Sequence, residues 1–195
     1  MTEILCYDVE TGGLSPYTSG LCSITLKKVG EPIIVTIYIK PTPGREYTPI
    51  ALQINGLTLK ELEEKGITEK QAIQKVIKFI IMNFKSKPNM LAHNIVFDIQ
   101  FMNSLFKRNG YELFSDLCYY HPKDTMIIAS MLKEAGIINF PKVNLQTCYK
   151  TLFGKNFENA HTSEADVLAT EQIYIKMQQI LGETYGKTKM VRTNP

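Results

Sequence analysis

Apolar residues recur along this chain with two different periods, and the change of period divides it into segments. Residues 3–9 read as a strand, apolar up to Asp8, that ends at Thr11-Gly12-Gly13, and 21–29 and 33–40 are β-branched-rich runs separated by Gly30-Glu31-Pro32. Together they predict an antiparallel meander. A Pro/Gly/Thr-rich loop follows over 41–49, then short helices over 51–54 and 59–65. Over 69–84, Ile73, Val76, Ile77, Ile80 and Phe84 share one helical face, the strongest such pattern in the chain. The apolar run 90–93 reads as a strand feeding a helix that carries Phe97, Phe101 and Leu105 on one side. Further helices are expected over 124–134, 144–153 and 163–181, the last with Ala169, Ile173, Met177 and Ile180 at helical spacing.

Three strands followed by alternating helices and short strands predict an α/β fold: a mixed sheet, with three antiparallel strands plus shorter parallel ones, and helices packed on its faces. The 195 residues suit one domain, expected over 1–182, with 183–195 as a short, weakly basic tail. Hydrophobic residues make up 44% of the chain, enough for a sizeable core, and no repeat or low-complexity segment interrupts it.

Composition narrows the function classes. A net charge of +3 lacks the footprint of a protein that coats nucleic acid non-specifically, so any contact with nucleic acid must be local. Cys6, Cys22, Cys118 and Cys148 form no C-x-x-C pair and sit among apolar residues, which predicts buried free thiols and a reducing compartment. No apolar run reaches membrane-spanning length and no leader pattern opens the chain. The expectation is a soluble, cytoplasmic protein without a membrane partner.

The chemistry lies in acids at element ends. Asp8 and Glu10 alternate onto one side of the first strand at its C-terminal end. Solvated acids are common at strand ends, but an otherwise apolar central strand rarely carries paired like charges without a neutralising partner. Asp98 follows His93-Asn94 near the start of a helix, where capping alone would account for an acid. Asn94 could cap that helix or donate its amide to a phosphate oxygen. Ser163 and Asp166 fit a capping pair at the head of the last helix, an explanation that leaves His161, in the preceding connection, without a task. Four carboxylates from three segments suit two hard divalent cations, magnesium or manganese, in phosphodiester hydrolysis, and His161 titrates in the range needed to accept a proton from water. Asp124 is expected to cap the helix that follows it, while Lys142, Lys150 and Lys155, near the last motif in sequence, could touch phosphates.

In order and spacing, Asp8-Val9-Glu10-Thr11, His93-Asn94-Ile95-Val96-Phe97-Asp98 and His161-x-x-x-x-Asp166 resemble the three motifs of the DEDDh, DnaQ-like 3′→5′ exonuclease superfamily. The polymerase proofreading subunits belong to it. The resemblance extends to Ile54-Asn55-Gly56-Leu57-Thr58, where Asn55 replaces the family's usual histidine, and to Asp124-Thr125; Ser163 replaces a usual alanine. It implies an RNase H-like fold, two magnesium ions on Asp8, Glu10, Asp98 and Asp166, with manganese able to substitute, and His161 as general base. It also implies that Thr11, Leu14, Asn55, Asn94 and Phe97 line the substrate site.

The leading expectation is a 3′→5′ exonuclease that acts on the 3′ end of single-stranded DNA or frayed ends and releases nucleoside 5′-monophosphates. The same chemistry on short RNA is the alternative, since no residue is evidently dedicated to a 2′-hydroxyl. A binding module that holds nucleic acid or a polymerase without cutting would be expected to have lost a carboxylate, and a structural calcium site would draw its ligands from one loop. A polymerase partner and a homodimer are both compatible with these residues.

Overall fold

The computed structural model describes residues 3–158, 160 and 162–192, the residues from 185 onward by backbone alone. Its strands are β1 (Ile4–Thr11), β2 (Leu21–Lys28), β3 (Ile34–Tyr38), β4 (Asn89–Ala92) and β5 (Lys123–Asp124). Its helices are α1 (Pro49–Asn55), α2 (Leu59–Lys65), α3 (Glu69–Asn83), α4 (Ile95–Arg108), α5 (Thr125–Glu134), α6 (Leu145–Phe153) and α7 (Ser163–Arg192). The sheet order is β3-β2-β1-β4-β5; β1, β2 and β3 form the expected antiparallel meander, and β4 and β5 add parallel strands. This is the α/β mixed sheet that the patterning predicts.

Alternation along β1 sends its side chains to two separate cores. Leu5, Tyr7 and Val9 face α3 and α4, where they pack with Ile73, Val76, Phe101 and Phe106. Cys6 faces the other way, toward Leu91 and Val167 of α7. A further cluster joins α5, α6 and α7 through Leu132, Cys148, Ile173 and Met177. The result is a sheet covered on both faces, with β1 at its centre. All four cysteines are buried and free, as expected. No helix among the described residues is long and apolar enough to cross a membrane.

Local chemistry sets the helix boundaries. Thr58 and Thr68 open α2 and α3 with full capping boxes, and Asn144 caps α6. Two details depart from expectation at α7. The helix continues past Leu181, through Gly182, to Arg192. Its N-cap falls one residue early, on Thr162, whose hydroxyl accepts from the Ala165 N–H at 3.3 Å. Ser163 is instead buried against the sheet, its hydroxyl 2.8 Å from that of Thr25 and 3.1 Å from that of Ser23. Both residues are good caps; contact with β2 decides between them.

Two buried ion pairs, absent from the sequence reading, hold the layers together. Lys27 of β2 meets Glu171 of α7 at 3.2 Å, and Glu171 also accepts from the Gly30 N–H at 2.7 Å. Glu69 at the start of α3 receives the guanidinium of Arg108 and the amide of Asn109, both at the end of α4.

Candidate active site

The active-site strand ends in an irregularity. Asp8 pairs across to Thr25 and Glu10 to Ser23, but Thr11 pairs with Leu21, so the register slips between Glu10 and Thr11. Such a bulge bends a strand and re-aims the side chains beside it. Asp8 and Glu10 project together on the α7 face. Asp166 lies one turn inside α7, and one carboxylate oxygen from each of Asp8, Glu10 and Asp166 lies within 4.8 Å of the others.

Asp98 reaches the same place from the opposite face of the sheet. It sits in the first turn of α4, 3% exposed, and its Oδ1 accepts from the Val9 N–H at 3.1 Å, between the two acids of β1. It thus bonds a strand N–H as well as its own backbone N–H, so capping alone does not account for it. Asn94 precedes α4 at φ 67, in the left-handed region, and its side chain makes no capping bond. Of its two expected tasks, capping is ruled out.

Burial and mutual repulsion both disfavour the charged forms here. Desolvation, then Asp98, Glu10 and Asp166, pushes the Asp8 carboxyl well above the usual range. Desolvation followed by Asp166 and Asp98 raises Glu10 to about 8. Desolvation also raises Asp98, against the opposing hydrogen bond from Val9. A cluster that resists ionisation on its own is what a divalent cation would relieve, and an all-oxygen donor set suits a hard ion.

The surroundings fix the strand end. Asn55, 8% exposed, donates its amide to the Thr11 carbonyl at 2.9 Å, and Gly56, at φ 63, ends α1 just behind it. The Thr11 hydroxyl donates to the Gly13 carbonyl at 2.7 Å. At Gly12 a Cβ would overlap the Glu46 carbonyl and the ring of Tyr47, so the close approach of the chains demands glycine. Leu14, by contrast, is 87% exposed, and Phe97 is half-buried with its ring against Phe101, centroids 4.8 Å apart. A cavity of about 500 Å³ opens beside Glu10 and is lined by Ser23, Tyr38, Asn55, Leu57 and Tyr149. His161 lies outside the described residues. Lys142, Lys150 and Lys155 are exposed.

Asp124 does more than the sequence indicates. It caps α5 as expected, accepting from the N–H groups of Met126 and Ile127 at 2.8 and 3.4 Å. It also accepts from the N–H groups of Asn94 and Ile95, each at 3.0 Å, and so clamps the start of α4 one turn before Asp98. The only advance indication was its place in the Asp124-Thr125 pair, because the second duty depends on β4 and β5 being neighbours.

Comparison with known proteins agrees with this geometry. Residues 5–174 match the family model described as Exonuclease. Ribonuclease T of Vibrio parahaemolyticus is 28% identical over 182 residues, covering 86% of this chain and 81% of that protein. The PolC-type DNA polymerase III of Latilactobacillus sakei is 23% identical over 193 residues, 98% of this chain but 12% of the polymerase. Among solved structures, Escherichia coli exonuclease I in complex with a dT13 oligonucleotide superposes with a TM-score of 0.76 at 22% identity, over 96% of this chain and 43% of that one. That likeness establishes a shared fold, and this chain spans about two-fifths of exonuclease I. With the family model covering nearly its whole length and the motif acids gathered at one strand end, the chain belongs to the exonuclease family, within the DEDDh, DnaQ-like superfamily of 3′→5′ exonucleases.

Proposed function

We propose that this protein hydrolyses phosphodiester bonds one at a time from the 3′ end of single-stranded DNA or frayed duplex ends, releasing nucleoside 5′-monophosphates. The observation that carries this reading is the convergence of Asp8, Glu10 and Asp166 within 4.8 Å, from two segments far apart in the chain. Asp98, hooked to the Val9 N–H between the first two, completes the ligand set. These four residues would hold two magnesium ions, with manganese as a substitute, which when bound would orient the attacking and leaving oxygens and neutralise developing charge.

The chain's own residues do the rest. His161, in the connection before α7, accepts a proton from the attacking water near neutral pH. Asn55 and the Thr11 hydroxyl keep the bulged strand end in one conformation, so that the Glu10 carboxylate and the Thr11 backbone meet the terminal nucleotide in fixed geometry. Leu14, exposed on the following loop, packs on the terminal base, with Phe97 and Asn94 on the facing side. The catalytic unit is residues 1–182, with 183–195 as its basic tail. A free-standing cytoplasmic enzyme fits these features, and a polymerase partner or a homodimer is compatible with them.

Short RNA is the second reading, supported by the likeness to ribonuclease T over most of both chains. A direct test digests 5′-labelled DNA and RNA oligonucleotides with magnesium, manganese or EDTA, beside Asp8→Ala. A metal-dependent ladder shortening from the 3′ end, absent in the variant, is the expected result, and the faster substrate identifies the preference. Intact oligonucleotides with both metals would reject the reading.

A further inference from the structure

The loop that leaves β1 after Thr11 displays a second large apolar side chain besides Leu14. Tyr17 is 82% exposed, three residues further along the same loop. An exposed tyrosine is ordinary in itself. What sets this one apart is the anchoring of the backbone that carries it. The Pro16 carbonyl accepts from the hydroxyl of Ser104 on α4, and the Tyr17 carbonyl accepts from the guanidinium of Arg45. On either side, the Ser15 carbonyl accepts from the Ser19 N–H at 2.9 Å, and the Thr18 carbonyl from the Glu46 N–H at 3.0 Å. Ser104 is itself held by Arg108, at 3.3 Å, and Arg108 is locked to the buried Glu69.

None of this anchoring buries the ring, so it contributes nothing to the core. It does fix the backbone that carries the ring relative to α4, the helix of Asp98. Ser104 and Asp98 lie on the same helix, six positions apart, so the Pro16 anchor sits about 9 Å along the α4 axis from the ligand residue. A cation, Arg45, adjoins the ring's own backbone, and an anion, Glu46, accepts from the hydroxyl of the next residue, Thr18, at 3.0 Å. An exposed aromatic on an anchored loop, continuous with Leu14, which the reading above sets against the terminal base, has the make-up of a single-strand stacking platform.

We infer that Tyr17 stacks on a nucleobase of the bound strand and is a substrate-binding residue of this enzyme. The inference rests on the nucleic-acid reading above and adds a contact to it. Stacking needs a ring and no hydroxyl, so Tyr17→Phe retains the function and Tyr17→Ala loses it. Tyr120, 88% exposed and preceding β5 at the opposite end of the strands from the carboxylates, is the matched control.

The test measures binding in an Asp8→Asn background, with single-stranded DNA carrying 2-aminopurine at each of the three 3′-most positions in turn. Relative to Asp8→Asn alone, Tyr17→Ala is expected to weaken binding by about 5- to 150-fold, the range of one lost base–aromatic stack. It is also expected to relieve fluorescence quenching at one probe position, with Tyr17→Phe and Tyr120→Ala unchanged. Unaltered affinity and quenching in Tyr17→Ala, or equal losses in Tyr120→Ala, would overturn the inference while leaving the exonuclease reading intact. Failure of the parent protein to bind any oligonucleotide would overturn both.

Discussion

Asp124 offers the sharpest test of how the fold sets the site. Its carboxylate, 6% exposed, accepts from four backbone N–H groups at 2.8–3.4 Å, two at the start of α4 and two in the first turn of α5. Replacement by alanine would remove the acceptor from all four donors and leave the Ile95 N–H unpaired in a buried place, the other three being part-buried. Hydrogen bonds to a charged group contribute about 1.5–3 kcal/mol each, but the four share one group and cannot be summed. Losing the α5 cap costs about 0.5–2 kcal/mol and stranding the buried Ile95 N–H about 1–3 kcal/mol more, to be set against a total stability of about 5–15 kcal/mol for an ordinary domain. The variant should therefore fold at room temperature with a clearly lower urea midpoint and an unchanged m-value. The start of α4 then loses its clamp at Asn94, whose backbone is in the left-handed region, and Asp98 shifts with the helix. A displacement near 1 Å at a catalytic group costs on the order of 100-fold in rate. Urea unfolding followed by circular dichroism, with single-turnover digestion of a labelled oligonucleotide, measures both effects. If Asp124→Ala unfolds within about 1 kcal/mol of the wild type and keeps its rate, the clamp is not what places Asp98.

Other expectations follow from the same interactions. Glu10 has a carboxyl raised from 4.5 to about 8, so the folded metal-free protein binds a proton there that the unfolded chain has released. Its stability should fall as pH rises from about 4.5 to about 8, and millimolar magnesium at pH 8 should recover it; a thermal melt that is flat with pH in EDTA would contradict this. Arg108→Ala leaves Glu69 buried without its cation and should cost about 3–5 kcal/mol in urea unfolding, while Lys60→Ala, from an exposed pair, should cost less than about 1 kcal/mol. Ser163→Ala removes a partner from the buried hydroxyls of Ser23 and Thr25 and should destabilise by about 1–2 kcal/mol, with hydrolysis retained because Asp166 keeps its helix; a loss of activity with stability intact would show that the hydroxyl acts on the site itself.

Much of the fold and site was legible because the determining interactions are short in sequence. An apolar run defined β1, and strand geometry put Asp8 and Glu10 on one side; period-3.6 patterning placed α3 and α4; capping chemistry marked Asp124 and the start of α7 to within one residue. What the sequence left open depends on contacts between segments far apart in the chain. Whether Asp98 caps its helix or faces the other acids is decided by the Val9 N–H, 89 positions away. Thr162 and Ser163 are equivalent as caps until α7 lies on β2, where Ser163 finds Thr25. The pairing of Lys27 with Glu171, the double duty of Asp124 and the anchoring of the Tyr17 loop by Ser104 have no local signature either. Local periodicity and capping are properties of neighbouring residues, so the sequence by itself determined the elements and the identity of the acids. A buried polar group takes whatever partner the packing brings to it, and only the tertiary structure decided which neighbours position those acids.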